Sequence, residues 1–135
     1  MTLAQTTPMR LDPHLIYLAD AAVSLTMGVA LLLGAGAITE LAGWPLPPAF
    51  LTAIGIFLLP WAAFNLWIGR SVQPNRAAVV ANLIGDALWI AGTAALLVSF
   101  APTLTAIGLV LLAGQGLAVV GVLITKLFGA RALIR

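Results

Sequence analysis

Four long apolar stretches divide the chain, and short polar or proline-containing breaks separate them. The stretches cover residues 15–38, 49–69, 77–100 and 103–128. Each is near or above the roughly 20 apolar residues that a helix needs to cross a bilayer, and tilt accommodates the longer ones. Isolated strands are excluded because their backbone groups would stay unpaired in hydrocarbon. The pattern predicts an all-α integral membrane four-helix bundle, with residues 1–135 as a single membrane domain.

The breaks between these stretches contain residues that stop and start helices. They read GWPLPP (43–48), GRSVQPNR (69–76) and SFAPT (99–103). Proline is tolerated at a helix start but disrupts a helix interior. Because all three loops are short, they leave little room for an active site outside the membrane.

Composition indicates a lipid environment and excludes several kinds of site. Of the 135 residues, 62% are hydrophobic and 7% charged, and the mean hydropathy is +1.14, whereas a soluble domain carries about 25% charged residues. The chain has no cysteine, which excludes disulfides and thiolate sites, and its one histidine, His14, excludes a multi-histidine metal or haem site within one chain. With no phosphate-binding glycine loop and no nucleophile–base pair, we expect a non-enzyme without catalytic residues, metal or cofactor.

The basic residues predict an orientation. All six lie before the first stretch, between the second and third, or at the end of the fourth and beyond: Arg10, Arg70, Arg76, Lys126, Arg131 and Arg135. Loops rich in lysine and arginine stay on the cytoplasmic side. We therefore predict a multi-pass protein of the bacterial inner membrane with both termini cytoplasmic (N-in, C-in). No basic patch with interleaved aromatic residues is present, so we expect no nucleic-acid partner.

Two segments indicate an internal repeat. LTAIGIFLL (51–59) and LTAIGLVLL (104–112) are identical at seven of nine positions. Extending the alignment backwards places Asp20 opposite Asp86. A two-plus-two duplication of this kind is a parallel repeat, with its pseudo-twofold axis along the membrane normal. Chance similarity is the rival explanation, because leucine and alanine are so common in the chain.

Six polar side chains inside the predicted spans are the candidate proton- or ligand-binding residues: Asp86, Asp20, Asn82, Asn65, Gln115 and Ser24. Asp86 lies ten residues after Arg76, which is about 15 Å along a helix and near the middle of the bilayer. Residues four apart share a helix face, so Asn82 lies beside Asp86. Ser24 lies beside Asp20 for the same reason. Since lipid offers no hydrogen bonds, we expect all six to face inwards and form one buried cluster.

The charge state of Asp86 follows from its depth. An acid near the bilayer centre costs about 2.5–3.5 kcal/mol on insertion scales, and we identify no basic side chain within the spans that can pair with it. Desolvation, and a second carboxylate if Asp20 is close, both disfavour the charged form. We therefore expect Asp86 to be neutral at rest, or charged against a bound cation. Polar residues in membranes often only join helices, at about 0.6 kcal/mol each, so a structural role stays an alternative.

Small residues at every fourth position of the third span permit a close helix approach. They are Ala87, Ala91 and Ala95. Such a stripe serves either the interior of the bundle or a homodimer face. We expect it in the interior.

Two passages carry a resemblance. LLPWAAFNLWIGR (58–70) and ANLIGDALWIAG (81–92) resemble a set of small, uncharacterised bacterial four-transmembrane-helix proteins. Those proteins carry Pro-Trp or Pro-Tyr on span two, a short basic loop, and Asn-x-x-Trp-like patterns on span three. The resemblance covers about half of the chain and implies the four-helix fold but no activity. The small multidrug resistance exporters are similar in size, but the chain lacks their glutamate on span one and has Asp20 at a loosely comparable place.

These observations predict a function in general terms. We expect an interaction or accessory module with a buried polar cluster, whose partners are the lipid bilayer and a second copy or another membrane protein. The first alternative is a small proton-coupled transporter that uses Asp86 together with Asp20. The second alternative is a protein that binds a lipid or a hydrophobic ligand.

Overall fold

The structure is a computed structural model that describes residues 12–134. It contains four α-helices: α1 Pro13–Ala42, α2 Pro48–Arg70, α3 Arg76–Phe100 and α4 Ala106–Leu133. Each is long and apolar enough to cross a membrane, which confirms the all-α class and the four predicted spans. Two of the basic residues that we used for orientation, Arg10 and Arg135, lie outside the described residues.

Local sequence explains where the helices begin and end. Asp12, Asn75 and Thr105 precede α1, α3 and α4, and each side-chain oxygen accepts a hydrogen bond from a backbone N–H of the first turn. Pro48 begins α2, where its missing N–H leaves no hydrogen bond unmade. After α1, Gly43 adopts a φ of 62°, a left-handed conformation that glycine reaches without steric cost. The breaks therefore act as the sequence predicts.

The helices pack in a ring in which each is flanked by its neighbours along the chain and α1 lies beside α4. α1 and α2 form the most extensive contact, because Gly28 and Gly55 face each other and let the two backbones approach closely. α2 and α3 lie further apart. The indole ring of Trp61 on α2 fills the space between them and rests against Gly85.

Hydrogen bonds at one end of the ring join α1 to α4. The Thr105 hydroxyl donates to the Leu41 carbonyl (2.7 Å), and the Thr105 backbone N–H donates to the Ala42 carbonyl (3.0 Å). At the opposite end, Gly129 of α4 lies against Pro13 of α1. The two helices are therefore in contact near both of their ends.

Apolar side chains cover the outside of the ring. Large hydrophobic residues more than four-fifths exposed are found on three helices: Leu33, Val98 and Phe128. A surface of this kind would be strongly unfavourable in water and is the expected surface of a protein surrounded by lipid. The four spans therefore contact a bilayer directly.

The alanine stripe of α3 lies on the outside as well. Its members are all exposed: Ala87, Ala91 and Ala95. Our prediction that this stripe packs in the interior is therefore wrong. The inward face of α3 is occupied by Asn82, Asp86 and Thr93, because a polar group left against lipid costs more than the close packing of alanines gains.

Candidate functional site

A group of buried polar side chains is organised around Lys126 of α4, whose own side chain is fully buried. Its ammonium nitrogen, Nζ, donates to Asp20 Oδ2 of α1 (2.6 Å), Asp86 Oδ2 of α3 (2.7 Å) and Asn82 Oδ1 of α3 (2.8 Å). A longer contact reaches Asn65 Oδ1 of α2 (3.1 Å). One nitrogen atom therefore joins all four helices. We call these five residues the Lys126 cluster.

Side-chain amides and a hydroxyl complete the hydrogen bonding around the ammonium. Asn82 Nδ2 donates to Asn65 Oδ1 (3.2 Å), and Asn65 Nδ2 donates to the backbone carbonyl of Trp61 (3.1 Å). The Ser24 hydroxyl donates to Asp20 Oδ1 (3.0 Å). An ammonium has three hydrogens, which match the three shortest acceptors of Lys126, while Asn65 Oδ1 already accepts from Asn82. The amides therefore hold the acceptor oxygens in place around Nζ.

Tyr17 lies on the side of the Lys126 cluster that faces the α2–α3 loop. Nζ of Lys126 lies 4.9 Å from the centre of the Tyr17 ring, a distance at which a cation is attracted to an aromatic face. The ring is almost completely buried and packs with Ile68, Val79 and Leu133. The Tyr17 hydroxyl is buried and has no hydrogen-bond partner among the described residues. Apolar packing therefore separates the cluster from this end of the bundle.

The structure brings five of the six candidate residues together, and Gln115 is the exception. Gln115 accepts a hydrogen bond from Trp89 Nε1 (2.7 Å) and donates to Thr93 Oγ1 (3.0 Å). Our prediction that Gln115 belongs to the same cluster is wrong. The cluster lies at the level of Lys126, and Gln115 is eleven residues earlier on α4, which is about 16 Å along the helix. It forms a separate polar contact between α3 and α4.

The prediction that no basic side chain in the spans can pair with Asp86 is also wrong, since Lys126 pairs with it. The predicted fourth span ends at residue 128 and makes Lys126 a terminal residue, but α4 continues to Leu133. Lys126 therefore lies seven residues inside the helix end, about 10 Å by helical rise. The apolar residues that follow it, among them Leu127 and Phe128, were the signal that the span continues.

The charges of the Lys126 cluster are unequal. Asp20 and Asp86 present two carboxyl groups to a single ammonium. With both carboxyls ionised the cluster carries a net charge of −1, and with one protonated it is neutral. A buried charge that lacks a partner costs several kcal/mol even after relaxation of the surroundings. The arrangement can therefore lock helices together and can also hold one additional positive charge.

A second, smaller polar contact lies at the start of α1 and includes Asp12 and Ser71, which are outside the membrane-spanning helices. The ring of His14 lies between the Asp12 carboxylate (Nδ1 to Oδ1, 2.7 Å) and the Ser71 carbonyl (Nε2 to O, 2.8 Å), and it ties the start of α1 to the α2–α3 loop. The pKa of Asp12 is lowered from its ordinary value of 3.8, chiefly by the hydrogen bond from the backbone N–H of His14 and next by the His14 ring. This contact caps α1.

A shallow, apolar groove runs along α1 and is lined by Ala22, Val23, Thr26, Met27 and Ala30. None of these lining residues belongs to the Lys126 cluster. Within residues 12–134, no group of histidine, cysteine or acidic side chains is placed to hold a metal ion. No family model, curated protein or solved structure matches the chain.

Proposed function

We propose that this protein is an interaction or accessory module of a bacterial inner membrane, in which a closed four-helix scaffold binds another membrane protein. The observation that supports this role is the single ammonium of Lys126, which contacts side chains of α1, α2 and α3. Ion pairs and hydrogen bonds that join four helices at one atom favour a single arrangement of those helices. Such an arrangement suits a scaffold better than a transporter that must open to each side of the membrane in turn.

The proposal includes an orientation and an origin. Arg70 and Arg76 flank the α2–α3 loop and Arg131 lies near the end of α4, so the exposed basic residues of residues 12–134 share one end of the bundle. We propose that this end is cytoplasmic, by the positive-inside rule. We also propose that the two halves arose by duplication, which is supported by the contact of both Asp20 and Asp86 with the same ammonium.

Cysteine accessibility tests whether the scaffold stays closed. The chain has no cysteine, so Ser24→Cys places one thiol beside the Lys126 cluster and Gln73→Cys places a control thiol in the exposed α2–α3 loop. In proteoliposomes we expect a water-soluble thiol reagent to label the loop cysteine and to leave the cysteine at position 24 unmodified, at pH 6 and at pH 8. Labelling at position 24 at either pH would contradict a closed scaffold.

Cross-linking in native membranes tests for the partner. We expect the tagged protein to form one cross-linked product of defined mass with another membrane protein, and the same complex to survive purification in mild detergent. Recovery of a monomer alone would reject the accessory role. A co-purifying lipid in native mass spectrometry, without protein, would favour the alternative of a hydrophobic-ligand binding protein.

A second candidate function is proton-coupled transport, and the two carboxyls that face one ammonium favour it. A transporter must bind and release protons at a site that is exposed to each side in turn. Under this hypothesis Asp86→Asn abolishes pH-dependent flux in proteoliposomes and leaves the fold intact. An accessory module predicts no such flux in the unmodified protein.

A further inference from the structure

One negative charge of the Lys126 cluster lacks a partner among the described residues. Asp20 and Asp86 lie 2.6 Å and 2.7 Å from the same ammonium. Apart from Lys126, the lysine and arginine residues of the described part of the chain are exposed and lie at or near helix ends: Arg70, Arg76 and Arg131. α2 contributes only an uncharged amide, Asn65, to the cluster, and the Tyr17 ring of α1 adds no charge. Since isolated charge is strongly disfavoured in a low-dielectric interior, the cluster requires a second positive charge.

The hydrogen bonds distinguish the two carboxyl groups. Asp20 accepts at both oxygens, from the Ser24 hydroxyl at Oδ1 and from Lys126 at Oδ2. Within residues 12–134, Asp86 accepts only from Lys126, at Oδ2. The Asp20 side chain is also less deeply buried, at 13% exposed against 4% for Asp86. More donors and more solvent both favour the ionised form, so Asp20 keeps the negative charge and Oδ1 of Asp86 is the oxygen free to carry a hydrogen.

We propose that the Lys126 cluster is a binding site for one exchangeable proton, which Asp86 carries at neutral pH while Asp20 stays ionised against Lys126. The proton comes from the aqueous phase, an O–H bond forms at the Asp86 carboxyl, and the net charge of the cluster changes from −1 to zero. The inference goes beyond the accessory role and does not depend on it, because a closed scaffold also needs its interior charge balanced.

Carboxyl-carbon NMR tests this assignment on the full-length protein in nanodiscs. The chain contains three aspartates, Asp12, Asp20 and Asp86, so selective ¹³C labelling at aspartate Cγ gives three signals. Asp86 is the one aspartate that follows a glycine, Gly85, so additional ¹³C labelling of glycine carbonyls and ¹⁵N labelling of aspartate assigns its signal in the wild type. Asp12→Asn then removes the Asp12 signal and leaves the third signal to Asp20. At pH 7 we expect the Asp86 signal at the position of a neutral carboxylic acid, and the other two at the position of a carboxylate.

The Asp20→Asn variant supplies the decisive comparison. It leaves one carboxyl facing one ammonium, so no second positive charge is needed. We expect the Asp86 signal to move to the carboxylate position at the same pH. The matched control is Asp12→Asn, which also removes an aspartate but lies outside the cluster, and it should leave Asp86 neutral. An Asp86 signal that stays at the carboxylic-acid position in the Asp20→Asn variant would overturn the proposal.

Two further results would overturn the proposal. The first is a wild-type spectrum with no neutral aspartate, with two, or with Asp20 as the neutral one; the count of neutral signals holds even if Asp20→Asn fails to fold. The second is a shift of the Asp20 and Asp86 signals when sodium or potassium chloride replaces choline chloride at constant pH. That shift would identify the ligand as an alkali cation. Neither measurement depends on a partner or on flux, so failure here is distinct from failure of the proposed function.

Discussion

Removal of the Lys126 ammonium is the sharpest test of what holds the four helices together. Lys126→Met keeps an unbranched side chain in the same space and removes the charge together with the hydrogen bonds to Asp20, Asp86 and Asn82. Loss of one partner from a buried ion pair typically costs about 3–5 kcal/mol. Because Lys126 serves two carboxyls and is fully buried, we expect the free energy of unfolding to fall by an amount in this range.

A charge-repaired variant separates the effect of charge from the effect of packing. Lys126→Met combined with Asp20→Asn and Asp86→Asn leaves neither an ammonium nor a carboxylate in the cluster. Replacement of all members of a buried ionic group is far less costly than removal of one. We therefore expect the triple variant to recover most of the stability that the single substitution loses.

Equilibrium unfolding in mixed micelles, followed by circular dichroism, measures these differences. The matched control is Arg131→Met, which makes a similar change at an exposed position of the same helix and should alter stability by less than about 0.5 kcal/mol. A Lys126→Met variant that is no less stable than Arg131→Met would refute a stabilising role of the buried ammonium. A triple variant as unstable as Lys126→Met would refute the role of charge, since packing would then dominate.

Three further predictions concern polar residues that lie outside the Lys126 cluster. Gln115→Leu removes the hydrogen bonds to Trp89 and Thr93. In the same unfolding assay we expect the free energy of unfolding to fall by about 0.6 kcal/mol, and by about 1.7 kcal/mol at most. A fall as large as that of Lys126→Met would contradict the separation of Gln115 from the Lys126 cluster. Tyr17→Phe removes a hydroxyl without a described partner and should leave the free energy of unfolding unchanged or slightly raised. Tyr17→Leu also removes the aromatic ring beside Lys126 and should lower it by about 0.5–2 kcal/mol. Equal effects of the two variants would exclude a contribution from the ring. The hydrogen bonds with His14 lower the pKa of Asp12 in the folded protein. The Asp12 carboxylate therefore stabilises the fold at pH values above its ordinary pKa of 3.8, and this effect is lost as the pH falls through the lowered pKa. Thermal unfolding should distinguish Asp12→Asn from the wild type at pH 6, and the difference should disappear in strong acid.

The candidate site shows how far residue spacing alone can lead. Helical periodicity predicts that Asn82 shares a face with Asp86, and that Ser24 shares one with Asp20, because side chains four residues apart are neighbours on any helix. The Ser24–Asp20 hydrogen bond confirms the second pair. The inward direction of these faces is predictable too, since lipid leaves polar groups no other partner. Spacing says nothing about the level at which a residue of another helix meets them.

Depth along a helix is harder to predict from sequence than the face on which a residue lies. A fourth span that ends at residue 128 makes Lys126 a terminal residue and places Gln115, eleven residues earlier, about as deep in the membrane as Asp86. The true end of α4 lies at Leu133. The shift moves Lys126 into the interior and puts Gln115 beside Trp89 instead. A lysine near the end of an apolar run has a stem long enough to turn either outward or inward, and only packing decides which.

The sequence by itself determined the features that depend on neighbouring residues: a lipid environment, four spanning helices, their breaks and caps, and the faces that carry polar side chains. Tertiary structure alone decided which of these faces meet. The ammonium of Lys126 contacts Asp20, 106 residues away along the chain, and the first and last helices must pack together before that contact exists. Its energy comes from satisfying charges that no local segment can satisfy, and this is the physical reason that the central residue of the site was missed.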